Sequence, residues 1–194
     1  MSVTFEFLVF VIVMICWLVF AGTFLLRKKP PTSPDEKRAP RSLIGVAFQG
    51  ISYGIIWGVR REAFTPILPN TSVAIVTGVL ASCAAIASVW LVTAALKTLG
   101  KEWSLTARLV EGHKLATTGP YALVRHPIYT GMLGMLLATG LAVSHWAALL
   151  VALVVFFVGT TIRVRSEEKL LREAFGEQFE KYALRVPAIL PGLY

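Results

Sequence analysis

Residues 127–162 read PIYTGMLGMLLATGLAVSHWAALLVALVVFFVGTTI, and this stretch decides how the chain folds. It contains no Lys, Arg, Asp or Glu, so nothing in it resists burial in hydrocarbon. One transmembrane helix needs about 20 apolar residues, and this stretch is too long for a single crossing. Ser144 and His145 interrupt it near the middle. The pattern therefore predicts a hairpin of two membrane helices, over 127–143 and 146–162, joined by a tight turn.

The same apolar character extends toward the N-terminus. Hydrophobic residues make up 56% of the 194, and the mean hydropathy is +0.69. A soluble domain is only about 45–50% apolar. Further apolar runs cover residues 5–26, 42–59 and 72–96. With the hairpin they predict an all-α membrane domain of five transmembrane helices over 1–194, because an open sheet cannot satisfy its backbone in lipid.

The positive charge is concentrated in three polar segments. The net charge is +8, and 17 of the 19 Lys and Arg residues fall within 27–41, 97–126 and 163–185. Such clusters beside apolar spans follow the positive-inside rule. They predict a multi-pass protein with these segments and the C-terminus in the cytosol, and with the N-terminus outside. They also argue against nucleic acid as a partner, since the basic residues mark the ends of membrane spans.

Four glycines occur at spacings of four or five in the second run, at Gly45, Gly50, Gly54 and Gly58. Small residues at such spacing let helices approach closely in a membrane. The pattern predicts that another helix packs tightly along this face.

The C-terminal tail returns to helical periodicity after the last span. Leu171, Phe175, Phe179 and Tyr182 recur at intervals of four, four and three residues, with charged residues between them. This spacing predicts an amphipathic cytosolic helix resting on the bundle or on the membrane surface. Gly176 is expected to disturb it.

A polar cluster lies where the hairpin begins, in the segment GPYALVRHPIYTG at 119–131. Pro127 suits the first helical turn, which places His126 near the N-cap. Helix N-terminal N–H groups there favour a negatively charged group. Arg125 and Tyr129 flank this point, and charged side chains at a membrane edge are costly unless they hold something. The segment predicts a binding site; the alternative is an ordinary interfacial belt of Arg and Tyr.

Arg163 and Glu167 follow the last span and are four residues apart, so they share one helix face. An adjacent positive and negative group can hold a zwitterion, or two ligands of opposite charge. The alternative is a local ion pair worth about 0.2–0.5 kcal/mol. Three scattered histidines and two cysteines inside apolar runs do not form a ligand set, so no metal is predicted.

Two motifs together resemble a known family. HKLATTGPYALVRHPIYTG at 113–131 is followed by RVRSEEKLLREAFGEQFEKYALRVPAILP at 163–191. This pair resembles the isoprenylcysteine carboxyl methyltransferases, whose superfamily includes phospholipid N-methyltransferases. The resemblance implies an integral membrane helix bundle with a cytosolic cofactor pocket, and S-adenosyl-L-methionine as cofactor.

The resemblance also implies roles for individual residues. Arg163 matches the family arginine that handles the substrate, and is expected to be both catalytic and substrate-binding. Gly119 and Pro120 would shape the turn before the hairpin. The positions expected to contact the cofactor are His113, Lys114, Leu115, Ala116, Tyr121, His126, Pro127, Ile128, Tyr129 and Glu167.

The expected substrate is the C-terminal carboxylate of isoprenylated cysteine, or a similar lipidated group reaching the site from the surrounding membrane lipids. A carboxylate is ionised at neutral pH, so its methylation needs no general base. Arg163 would hold it through a bidentate pair. The protein's main task is then to align the reacting groups and exclude water.

Three alternatives stay open at this point. A phospholipid N-methyltransferase needs a neutral amine and usually a proton acceptor, which the motifs do not supply. Sterol reductases share a similar C-terminal hairpin but use a nicotinamide, and 194 residues is short for one. A non-enzymatic scaffold or transporter subunit is the third, although transport would be favoured by a charge in mid-span, and the apolar runs have none.

Overall fold

The computed structural model describes residues 3–26, 35–68, 70–100, 103–104, 108–110 and 114–190. Within these ranges the chain is mainly helical, which confirms the all-α class. A short 3-10 helix, Gly119–Ala122, precedes the hairpin. The helices and strands, in chain order, are α1 Val3–Leu25, β1 Asp35–Arg38, α2 Ser42–Gly58, α3 Thr71–Leu99, β2 Arg108–Val110, α4 Pro127–Val143, α5 Trp146–Phe175 and α6 Glu177–Ala183.

Three of these helices are long and apolar enough to cross a membrane. They are α1, α3 and α5, with 23, 29 and 30 residues. Helices α2 and α4 are apolar but have 17 residues each, or about 26 Å at 1.5 Å per residue. That is slightly less than the hydrocarbon thickness of about 30 Å. Length and composition thus support three crossings, and the count of five stays a prediction.

The predicted pair of helices joined by a tight turn is confirmed. Helix α4 ends at Val143 and α5 begins at Trp146, with Ser144 and His145 as the turn. The side chain of His145 accepts a hydrogen bond from the backbone N–H of Ala147 and caps α5. The hydroxyl of Ser144 donates to the carbonyl oxygen of Val59 at 2.8 Å, which fastens the turn to the end of α2.

The prediction that the last span and the C-terminal helix are separate is wrong. Helix α5 runs unbroken to Phe175 because residues 163–175 are mostly strong helix formers and include neither Gly nor Pro. The break comes at Gly176, as expected. Its φ of +47° is a left-handed conformation that glycine adopts without strain. Glu167 therefore lies inside a long helix and not at a helix start.

The glycine face of α2 is only partly a packing face. A Cβ added to Gly45 would lie 2.5 Å from the carbonyl oxygen of Gly159, so α2 and α5 do approach closely there. A Cβ added to Gly50, Gly54 or Gly58 would meet no atom of the described residues within 4 Å, so the prediction of tight packing is wrong at these positions. The reason is that α2 packs on α5 through a different stripe: its buried residues are Ser42, Gly45, Gln49, Ser52 and Ile56.

Helices that follow one another in the chain run in alternating directions. At one end, the backbone N–H of Arg61 after α2 donates to Val143, and its guanidinium donates to the carbonyl of Ala142 at 2.9 Å. The ring of Phe64 contacts Phe7 near the start of α1. We call this end, which contains the α4–α5 turn, the turn end. The opposite end gathers the starts of α2 and α4 with the end of α3, and is called the site end.

Two short strands, which the sequence pattern does not predict, lie in the polar segments after α1 and after α3. Strand β1 pairs antiparallel with β2, with Asp35 opposite Val110 and Arg38 opposite Arg108. The pairing joins the segment after α1 to the segment after α3 by backbone hydrogen bonds.

Candidate active site

The GPY segment forms a tight turn at the site end. Gly119 has a φ of +59°, which favours glycine, and Pro120 follows in the 3-10 helix. Tyr121 is buried, and its carbonyl oxygen accepts a hydrogen bond from the hydroxyl of Tyr182 at 2.6 Å. The C-terminal part of the chain therefore holds this turn in place through Tyr182.

The start of α4 is as predicted, with His126 at the N-cap and Pro127 at the first helical position. The C-terminal segment lies across it. The backbone N–H of Arg125 donates to Pro187 at 2.8 Å, and that of His126 donates to Ala188 at 2.9 Å. Protein carbonyls thus satisfy these two N–H groups.

His126 lies between two carboxylates of α5. Its side chain is buried, with Nδ1 3.4 Å from Oε2 of Glu167 and Nε2 3.3 Å from Oε1 of Glu168. Burial disfavours the charged imidazole, but hydrogen bonds and charge from both glutamates outweigh it and raise the pKa of His126 above 6.5. The negative groups expected near this helix start are therefore the protein's own Glu167 and Glu168.

Tyr129 connects the predicted substrate arginine to the predicted cofactor glutamate. Nε of Arg163 donates to the Tyr129 hydroxyl at 2.6 Å, and that hydroxyl donates to Oε1 of Glu167. Nη2 of Arg163 lies 3.5 Å from the same oxygen, so the pairing at a four-residue spacing is as predicted. The ring of Tyr129 stacks on His126, with centroids 5.6 Å apart. We call these four residues, His126, Tyr129, Arg163 and Glu167, the polar cluster.

Glu168 is a buried anchor that the sequence reading did not assign. It lies beyond the apolar part of α5, at 8% side-chain exposure, and accepts from Nε of Arg125 at 2.9 Å and Nη2 of Arg172 at 3.1 Å. Burial would raise the pKa of Glu168, but His126 and Arg125 outweigh it and lower the pKa to about 2. Arg125 also donates to the carbonyl oxygens of Ala183 and Val186. The ion pair of Glu168 and Arg125 therefore connects α5 and the start of α4 to the C-terminal segment. The sequence clue to Glu168 was the pair of consecutive glutamates after the apolar run.

A cavity of about 430 Å³ lies against the polar cluster. Most of the predicted site residues line it: Lys114, Leu115, Ala116, Tyr121, His126, Ile128, Tyr129, Arg163 and Glu167. Pro127 is not among the lining residues, because it is buried at the first turn of α4. His113 lies outside the described residues.

Part of the remaining cavity wall comes from α1 and α2, which lie outside the two motifs, and part comes from α4 and α6. Helices α1 and α2 contribute a mainly apolar wall that leads away from the polar cluster, and α6 contributes two aromatic rings. The sequence contained one clue to the part of this wall that α2 provides: Gln49 is the single side-chain amide in an otherwise apolar run. These lining residues are Phe20, Phe24, Val46, Gln49, Gly50, Tyr53, Met132, Phe179 and Tyr182.

The lining is chemically suited to S-adenosyl-L-methionine. The volume falls within the range of about 300–1,000 Å³ that is common for small-molecule sites. The carboxylate of Glu167, with 24% side-chain exposure, can pair with a cationic group in the cavity. Tyr121, Trp103 and Phe179 provide aromatic surfaces for a flat heterocycle.

Comparison with known proteins identifies several relatives of this chain. Relatives include protein-S-isoprenylcysteine O-methyltransferase B of Arabidopsis thaliana, 33% identical over 99 residues, covering 50% of each chain. The cobalt-zinc-cadmium resistance protein CzcN of Cupriavidus metallidurans is 37% identical over 101 residues, covering 50% of this chain and 45% of that protein. The methanethiol S-methyltransferase of Pseudomonas deceptionensis is 38% identical over 74 residues, covering 38% and 27%. The chain spans about half the length of the first two.

The family resemblance seen in the motifs is confirmed by the isoprenylcysteine O-methyltransferases among these relatives. The family model described as phospholipid methyltransferase matches residues 75–178. This range runs from α3 to the start of α6 and contains the whole polar cluster. It covers more than half of the 194 residues, and the chain therefore belongs to the phospholipid methyltransferase family.

Proposed function

We propose that this protein is a membrane methyltransferase that uses S-adenosyl-L-methionine to methylate the carboxylate of isoprenylated cysteine or a similar lipidated acid. The observation that carries the proposal is the placement of Arg163. Its side chain is 7% exposed, it belongs to the polar cluster, and it lines a cavity whose other walls are largely apolar. A buried cation beside an apolar wall suits a ligand with an anionic head and a hydrocarbon tail.

Bound S-adenosyl-L-methionine would supply a methyl group on a sulfonium, which leaves as a neutral thioether. Glu167 would pair with the positive amino group of such a ligand. Lys114, Leu115 and Ala116 would form the side of the cofactor chamber next to the GPY turn. Their role and that of Pro127, which supports the chamber from the helix start, rest on the family resemblance.

Arg163 would fix the acceptor. Tyr129 and Glu167 hold its guanidinium in one orientation, so little side-chain entropy is lost when a carboxylate binds. A carboxylate oxygen provides the electron pair for the new oxygen–carbon bond, and no proton has to leave. Alignment and exclusion of water by the apolar wall can then account for much of the rate enhancement.

The same site is less suited to a phospholipid amine. A protonated amine must first lose a proton, so the site would need a free base. Glu167 accepts from Tyr129 and pairs with Arg163, while Glu168 is held by Arg125 and Arg172. Both carboxylates are thus kept ionised by neighbouring cations, which makes them weak proton acceptors.

The test is methyl transfer by the purified protein in detergent or lipid nanodiscs. Labelled S-adenosyl-L-methionine is supplied with N-acetyl-S-farnesyl-cysteine in one reaction and with phosphatidylethanolamine in another. We expect label in the farnesylated acid as a base-labile ester. Label in the amine lipid alone would overturn the carboxylate assignment, and no label with no cofactor binding would overturn the enzyme assignment.

A further inference from the structure

Gln49 is a buried polar side chain in the apolar wall of the cavity. It lies on α2, is 2% exposed and lines the cavity with Val46 and Tyr53. Its amide nitrogen donates to the hydroxyl of Thr160 on α5 at 3.0 Å. Its carbonyl oxygen Oε1 has no hydrogen-bond partner among the residues that the structure describes.

An unpaired buried carbonyl costs about 1–3 kcal/mol. Most buried polar groups in folded proteins have a partner, so each exception calls for an explanation. Bulk water does not reach this oxygen, because less than 1 Å² of it is accessible. Because Gln49 lines the cavity, a molecule seated there can supply the donor. The terminal torsion of a glutamine is broad, so a small rotation can turn the oxygen toward such a molecule.

The position of Gln49 relative to Arg163 defines where that donor would be. Thr160, which binds the Gln49 amide, precedes Arg163 by three residues on α5, and their backbones are therefore about 5 Å apart along the helix axis. The contact between Gly45 of α2 and Arg163 fixes the two helices in this register. In a C-terminal residue, the N–H and the carboxylate share one α-carbon through bonds of about 1.5 Å. With its carboxylate at Arg163, such a residue could therefore reach Gln49 with its N–H through a hydrogen bond of about 3 Å.

We propose that Gln49 determines acceptor specificity by accepting a hydrogen bond from the N–H group on the α-carbon that carries the methylated carboxylate. This inference rests on the proposed carboxyl methylation. It narrows the substrate class to α-amido acids, meaning the C-termini of lipidated peptides or N-acyl amino acids. Lipid acids that lack this N–H, such as fatty acids, leave Oε1 unpaired and are poor acceptors.

The test compares two acceptors that differ only in the acetamido group that carries the N–H: N-acetyl-S-farnesyl-cysteine has it, and S-farnesylthiopropionic acid has hydrogen in its place. We expect the wild type to prefer the first by about tenfold in kcat/KM, which corresponds to one buried hydrogen bond. In Gln49→Met, which keeps length but cannot accept, the preference should fall to nearly one. Gly54→Ala changes α2 in open space and should keep the wild-type preference.

Calorimetry with the cofactor serves as the folding control for Gln49→Met. Because Gln49 is not part of the polar cluster, a folded variant should bind the cofactor as the wild type does. A binding readout adds an independent check: N-acetyl-S-farnesyl-cysteine should raise the thermal midpoint of the wild type more than that of Gln49→Met. Equal turnover of both acceptors by the wild type, or an unchanged preference in Gln49→Met, would overturn this inference while leaving carboxyl methylation intact. Failure of the wild type to methylate either acid would overturn both.

Discussion

Arg163 and Glu167 are neighbours in the polar cluster, yet we expect them to serve different ligands. Arg163→Ala removes the charge that would hold the acceptor carboxylate. Charged hydrogen bonds are worth about 1.5–3 kcal/mol, so we expect kcat/KM for the farnesylated acid to fall about 10- to 100-fold. The dissociation constant of the cofactor, measured by calorimetry, should change much less. Arg165→Ala is the matched control, because Arg165 is exposed and does not line the cavity.

Glu167→Ala should show the opposite separation. Loss of this carboxylate removes the expected partner of the cofactor's amino group, so we expect the cofactor dissociation constant to rise about tenfold or more. Calorimetry with S-adenosyl-L-methionine measures this directly. Glu177→Ala, which changes an exposed glutamate at the start of α6, is the control. Unchanged cofactor binding in Glu167→Ala would remove the role assigned to Glu167.

His126 gives the site end a defined dependence on pH. Its pKa in the folded protein is raised above 6.5 by Glu167 and Glu168, so the folded state binds its proton more tightly than the unfolded state. The resulting stabilisation is full below pH 6.5 and is lost as pH rises through the folded pKa. We expect the thermal midpoint of the wild type to exceed that of His126→Gln by most at pH 6 and by less at pH 8 to 9. A difference that is constant over this range would contradict the assigned charge.

The residue scale is also where sequence reading was least complete. Arg163 and Glu167 follow from a four-residue spacing, because a helix fixes which side chains share a face. The pairing of Glu168 with Arg125 joins residues 43 positions apart, and no local pattern encodes it. Gln49 lies 111 positions from Thr160, so its importance depends on how α2 packs on α5.

At the scale of elements, α2 has two faces with different tasks. One face packs on α5, and the other carries Gly50 and Gly54 in open space, with Gly50 at the cavity wall. Gly50→Leu should fill part of the cavity and lower kcat/KM for the farnesylated acid about tenfold or more, since a positioned substrate tolerates little displacement. Gly54→Leu, one turn further on and absent from the cavity lining, is the matched control. Equal activity of the two variants would contradict the assignment of this wall to the lipid tail.

The helix ends could be read from sequence wherever a strong stop signal exists. Pro127 and the Ser144–His145 turn fixed both ends of α4, and Gly176 fixed the end of α5. The charged residues after 162 were read as the start of a new helix because they leave the membrane pattern. Their helix propensity does not change at that point, so α5 continues. Hydropathy therefore predicts where the membrane boundary lies, but α5 continues beyond that point to Phe175.

For the whole molecule, the alternating directions of successive helices and the charge distribution both agree with the predicted topology, in which five helices cross the membrane and the site end faces the cytosol. Among the described residues, Lys and Arg are concentrated toward the site end, which the positive-inside rule predicts to be cytosolic. This placement, with five crossings, would bring a cytosolic cofactor and a membrane-borne lipid tail to opposite ends of one cavity. Three crossings would leave α2 and α4 outside the membrane, although both are apolar and α4 carries Tyr129 of the polar cluster.

Cysteine labelling distinguishes these topologies. In a background of Cys16→Ala and Cys83→Ala, single cysteines are introduced as Glu62→Cys at the turn end and Glu177→Cys after α5, both at exposed positions. A membrane-impermeant maleimide should label the first only from outside intact cells. It should label the second only in inverted vesicles, and detergent should expose both as a control for reactivity. Labelling of both from the same side would contradict the proposed topology, because α5 would then have to begin and end on one face of the membrane.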